Sequence, residues 1–114
     1  MNLIPVTVQN RRARASGFDF DLPPGDWFVE RCVLGVRPED LSENLREGEP
    51  QVDLRVDVVE VLGADQYLYG KIGEDEVTAR VDPHFTVVTG DKVPLAINPA
   101  RIHVFDTVTE LALI

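Results

Sequence analysis

Gln51-Val52-Asp53-Leu54-Arg55-Val56-Asp57-Val58-Val59-Glu60-Val61-Leu62 alternates apolar and polar residues and then loses step. Val52, Leu54, Val56 and Val58 share one phase of an extended chain, and Val59 and Val61 share the other. Successive strand side chains point to opposite faces, so one extra residue moves the apolar set across the sheet. A β-bulge or sharp corner does this, and a long strand needs such a corner to bend around a small barrel. A strand buried on both faces would also place Val58 beside Val59. The bend is expected near that pair.

The same period of two runs outward in both directions. Ile4, Val6 and Val8 alternate with Pro5, Thr7 and Gln9, and Phe18, Phe20 and Leu22 with Asp19 and Asp21. Val77, Ala79 and Val81 form another set, as do Val93, Leu95 and Ile97. These are strands with one dry and one wet face. No stretch carries the i, i+3, i+4, i+7 stripe of an amphipathic helix. Turn chemistry separates the strands at Pro23-Pro24-Gly25-Asp26, Gly63-Ala64-Asp65, Gly73-Glu74-Asp75 and Thr89-Gly90-Asp91.

A polar loop, Ser42 to Pro50, divides the chain into sub-halves of about 1–48 and 49–114. They carry an internal echo. Leu34-Gly35-Val36-Arg37-Pro38-Glu39-Asp40-Leu41 is repeated in character by Leu95-Ala96-Ile97-Asn98-Pro99-Ala100-Arg101-Ile102, a shift of 61 positions as from Arg37 to Asn98. In each, a strand runs into a proline, which lacks the ladder N–H and keeps its predecessor extended. The reading is an all-β single domain, a small β-barrel of two related half-barrels.

Composition bounds the chemistry. The chain has 114 residues, 44% hydrophobic and 27% charged, enough to bury a core without staples. A net charge of −9 repels phosphate backbones and argues against a nucleic-acid partner. Cys32 is the single cysteine, so neither an internal disulfide nor a Cys/His zinc set is available. No apolar run approaches the roughly 20 residues of a membrane-spanning helix. The start lacks the basic region and apolar core of a signal peptide.

Candidate catalytic groups read as ordinary surface. Gly63 to Lys71 has the wrong glycine spacing for a phosphate loop, and Ile72 stands where a metal-binding hydroxyl belongs. Asp82-Pro83-His84 reads as a turn, and His103 as a strand side chain. Asp19 and Asp21 share a wet strand face, and Glu74 and Asp75 sit in a hairpin. Arg11-Arg12-Ala13-Arg14 either caps a hairpin or faces an acidic partner. Arg37-Pro38-Glu39 sets opposite charges around a rigid proline. It either locks its own corner or holds a neighbouring domain by charge-assisted hydrogen bonds.

Leu34 to Leu41 resembles the L-G-[IV]-R-P-E-x-[LI] motif of the C-terminal domain in sugar-importer ATPases of the maltose-transporter type. Met1-Asn2-Leu3-Ile4-Pro5-Val6 resembles the M-N-x-x-P stretch that opens that domain, and Val59-Glu60-Val61-Leu62-Gly63 its V-E-x-L-G strand end. Asp65-Gln66-Tyr67 fills the usual polar turn, and Asn98 to Asp106 is similar to its closing P-x-R-x-H-x-F-[DR] segment. Asp40 departs from the pattern, standing where histidine is often found.

The resemblance implies an OB-like, transport-associated β-barrel (a TOBE or MOP-like domain) spanning 1–114, with an ATPase domain expected upstream. It implies a non-catalytic regulatory and dimerisation domain of the ATP-binding subunit of a bacterial ABC importer of sugars or related carbohydrates. No cofactor is expected in this chain, with ATP and magnesium held by the ATPase domain. The implied partners are a second copy, the subunit's own ATPase domain, the transporter's membrane subunits and a regulatory protein. The implied location is cytoplasmic, at the inner face of the membrane. Arg37, Pro38, Glu39, Gly63, Asp65 and Gln66 are the expected interdomain or dimer contacts. Two other functions fit small barrels. An oxyanion-binding barrel of the molybdate type would need an S-A-R-N-like strand, which is missing here. An OB-type nucleic-acid binder would need stacking aromatics in a basic groove, whereas Tyr67 and Tyr69 have acidic surroundings.

Overall fold

Alternation along the sequence becomes ten strands in two five-stranded sheets in a computed structural model, which describes residues 1–22 and 30–107. The turn expected at Pro23-Pro24-Gly25-Asp26 lies outside the described residues. The strands are β1 (Asn2–Gln9), β2 (Arg12–Arg14), β3 (Asp19–Asp21), β4 (Arg31–Val36), β5 (Leu41–Ser42), β6 (Gln51–Leu62), β7 (Asp65–Ile72), β8 (Asp75–Val81), β9 (Lys92–Ile97) and β10 (His103–Asp106). Sheet A runs β10-β4-β1-β2-β3 and sheet B runs β5-β9-β6-β7-β8. The fold is all-β, as the alternation implied, and OB-like, as the resemblance implied.

Both prolines of the internal echo open a single 3-10 turn, Pro38–Asp40 after β4 and Pro99–Arg101 after β9. A 3-10 turn suits proline at its first position, where the missing N–H has no partner to lose. Each turn then hands its chain to the other sheet. β5 pairs with β9 through Ser42↔Ala96, and β10 pairs with β4 through His103↔Gly35. These two registers are related by the same 61-position shift, so the halves exchange equivalent strands about a pseudo-two-fold axis.

The dry faces meet in one core. Ile4, Leu34, Leu54, Leu68, Leu95 and Ile97 are almost wholly inaccessible to water. Burying each such side chain contributes about 1.5–3 kcal/mol. Asn2 ties the sheets at their margin. Its amide donates to the Thr78 carbonyl at 2.7 Å and accepts from the Thr78 N–H at 2.8 Å. Thr78 lies on β8, an edge strand whose backbone groups would otherwise face solvent.

The phase slip in β6 is a bulge, and its extra residue is Asp57. Val56 pairs with Gly70 and Val58 with Tyr69, so Asp57 has no opposite number. The expectation placed Val58 on the same face as Val52, Leu54 and Val56. The bulge instead turns Val58 outward, where it is 51% exposed, and Val59 packs against the core. This removes the reading of a strand buried on both faces. Val61 was expected to continue the new dry face, but it is exposed because the β6–β7 hairpin runs past the edge of the core. The displaced ladder is completed by the loop before β9. Val56 N–H donates to Asp91 O at 2.9 Å, and Gly90 N–H donates to Val56 O at 2.8 Å.

Candidate interaction surface

The Arg37-Pro38-Glu39 corner is made by backbone, not by its charges. Arg37 is extended, and its carbonyl accepts from the Asp40 N–H at 2.9 Å to close the turn. The Arg37 and Glu39 side chains are exposed, and neither forms an ion pair among the described residues. The ion pair at this corner is Arg101 Nε to Asp40 Oδ1, 3.8 Å apart, joining the two 3-10 turns. Sequence reasoning did not single out that pair, although the echo aligns Asp40 with Arg101. Here Asp40, the departure from the motif, has a partner supplied by the opposite half.

Two-residue hairpins set the other candidates. Gly63-Ala64 joins β6 to β7, and Gly63 takes φ 61°. A glycine with positive φ first in a two-residue loop matches the right-handed strand twist. The hairpin brings Asp65 beside the corner. Glu39 and Asp65 line one open polar groove of about 350 Å³, together with Glu43, Arg80 and Asp82. Pro38, the residue before Glu39, is half-buried.

Gln66 turns inward and is 4% exposed. Its Nε2 donates to the carbonyls of Asp82 at 3.0 Å and Phe85 at 2.8 Å, fastening the loop after β8 to β7. That amide is committed within its own chain, while Arg37, Glu39 and Asp65 remain available on the surface. The structure therefore gathers Glu39 and Asp65, sets Arg37 and Pro38 beside them, leaves Gly63 in the neighbouring turn and withdraws the side chain of Gln66.

The remaining polar groups take structural positions. His84 N–H donates to Asp82 Oδ1 at 2.7 Å, closing the expected turn. His103 stacks on Phe105 with ring centroids 6.3 Å apart. In the Arg-rich hairpin, Asn10 and Arg11 both take positive φ, which a two-residue type I′ turn requires. Arg12 bridges Asp19 at 2.9 Å and Asp21 at 3.2 Å, and these carboxylates, Asp21 foremost, raise its pKa. Among the described residues no group of His, Cys, Asp and Glu is placed to hold a metal ion. No described helix is long and apolar enough to cross a membrane.

Tyr67 and Tyr69 lie side by side on the outer face of sheet B, ring centroids 6.5 Å apart and 25° from parallel. The Tyr69 hydroxyl donates to Glu60 Oε1 at 3.3 Å. Partial withdrawal from water, followed by the Glu60 charge, raises its pKa.

The groove beside this exposed corner is of mixed charge, with Arg80 set among the carboxylates of Glu39, Glu43, Asp65 and Asp82. The TOBE domain profile matches residues 34–105. An sn-glycerol-3-phosphate import ATP-binding protein of Cupriavidus metallidurans is 34% identical over 93% of this chain and 32% of its own length. A multiple sugar-binding transport ATP-binding protein of Streptococcus mutans is 42% identical over 74% of this chain and 23% of its own. A sulfoquinovosyl glycerol transport ATP-binding protein of Agrobacterium fabrum is 32% identical over 68% of this chain and 22% of its own. The chain thus spans about a third or less of the length of these relatives.

Proposed function

From the premise that the chain belongs to the TOBE domain family, we propose that it is the non-catalytic C-terminal regulatory and dimerisation domain of the ATP-binding subunit of a bacterial ABC importer. Its cargo class is sugars or related carbohydrates. One observation carries this reading. Relatives whose names specify ATP-binding transport proteins match 93% of this chain in one case, yet the chain accounts for only 32% of that relative.

In this role the domain holds two subunits together and receives signals, while ATP and magnesium bind in an ATPase domain upstream. The subunit lies in the cytoplasm against the transporter's membrane subunits. One surface available for interdomain or dimer contact is the corner and groove of Arg37, Pro38, Glu39 and Asp65, with Gly63 fixing the hairpin and Gln66 bracing it from inside.

The test has two arms. The reading frame is expected to continue upstream of Met1 through a phosphate loop, a signature loop and a catalytic glutamate. An in-frame stop directly before Met1 overturns the parentage. Calorimetry of the chain with magnesium-ATP is expected to show no saturable heat, and a saturable site overturns the non-catalytic assignment.

A further inference from the structure

The bulge at Asp57 gives the outer face of sheet B an ordered pattern that shares only Arg80 with the candidate groove. Cross-strand pairing sets two rows of residues side by side. The first row is Glu60–Tyr67–Arg80, and the second is Val58–Tyr69–Thr78. Glu60, Val58 and Arg80 are exposed, and the two tyrosines are half-buried. Arg80 makes no ion pair among the described residues. An acid and a base thus flank an aromatic centre, each one strand spacing of about 4.8 Å from it.

We propose that this face binds the same face of a second copy about a two-fold axis running along β7. The proposal rests on the dimerisation reading above and assigns it a surface. Rotation about that axis exchanges the two ends of each row. Glu60 of each copy then meets Arg80 of the other, Tyr67 and Tyr69 meet their own equivalents, and Val58 meets Thr78. An isologous contact requires this self-complementarity, in which residue i meets j and j meets i. The self-complementary placement of Glu60 and Arg80 makes the case for a second copy. Two −9 bodies repel, and the same axis sets Lys71 of each copy against the other, so the two Glu60–Arg80 pairs offset only part of the repulsion. Paired tyrosines with arginine at the rim are the residue types that carry binding energy at interface centres. Two rows of three residues are few beside the roughly 20–30 residues a side of a standard interface, so the isolated chain associates weakly.

Reciprocal charge reversal tests the register. Glu60→Arg places arginine against arginine in its own homodimer, and Arg80→Glu places glutamate against glutamate. Sedimentation equilibrium is expected to show each variant self-associating about tenfold more weakly than wild type. An equimolar mixture restores both opposite-charge pairs and is expected to recover affinity to within about threefold of wild type. Glu47→Arg mixed with Arg11→Glu carries the same net charges away from this face and is expected to show no such recovery. Thermal melts establish that all four variants fold.

If wild type associates but neither reversal weakens it, or if the mixture recovers no more than the control pair, this face is wrong and dimerisation stands. A wild-type chain that stays monomeric at millimolar concentration overturns both.

Discussion

Asp40 and Arg101 occupy equivalent positions in the two halves of the chain and form an ion pair with each other, Nε to Oδ1 at 3.8 Å. Equivalent residues meet only close to a symmetry axis, so this pair marks where the pseudo-two-fold passes between the 3-10 turns. Asp40 is 13% exposed and Arg101 68%, so the carboxylate is the member that needs its partner. Asp40→Arg is expected to destabilise the fold by about 1 kcal/mol, a partly exposed pair being worth no more. The double reversal Asp40→Arg with Arg101→Asp is expected to recover much of that loss. Urea denaturation of the four proteins forms the cycle, and additive losses would deny the coupling.

Gln66→Leu keeps the volume but leaves the Asp82 and Phe85 carbonyls without their shared donor. A loss of about 2–3 kcal/mol is expected, from two partly buried acceptors left unsatisfied. Amide exchange is expected to quicken first from Phe85 to Asp91, and a uniform acceleration across both sheets would argue against so local a role.

Gly70 lies opposite the start of the bulge, where a Cβ would collide with the Arg55 carbonyl. Backbone cannot yield as a flexible side chain can. Gly70→Ala is therefore expected to cost about 2–3 kcal/mol, the upper range for overpacking. Thermal unfolding checks this, and a melting temperature equal to wild type would show that the strands are not pressed together there.

Cys32 is buried, and burial, with a smaller contribution from the Asp106 charge, raises its thiol pKa above the usual 9.0. A raised folded-state pKa means that the unfolded chain loses its proton first as pH rises. The stabilising difference is complete below about pH 9 and is lost as pH climbs towards the folded-state pKa. Wild type is expected to lose stability as pH rises above about 9, and at higher pH the raised Tyr69 hydroxyl adds a fall of the same sign. Cys32→Ala lowers stability at every pH but flattens that slope. Parallel slopes for the two proteins would remove the assignment.

The sequence by itself determined the class of fold and its repeat. Period-two alternation has one structural solution when no helical stripe competes, and the dry faces of β1, β6, β8 and β9 follow directly from Ile4, Val52, Val77 and Val93 onward. Two strands ending on Arg37-Pro38 and Asn98-Pro99 made the related halves readable, because proline acts on its own neighbours. Tertiary structure decided what depended on distant partners. Alternation reports that β6 slips but not which residue is unpaired, since opposing Val56 and Val58 requires β7. The turn around Gln66 reads as polar surface, yet its amide is drawn inside by two carbonyls 16 and 19 residues away. The exchange of β5 and β10, the meeting of Asp40 with Arg101, and the row of Glu60, Tyr67 and Arg80 arise only when separate strands are laid side by side. Sheet pairing is non-local, and local pattern carries no record of it.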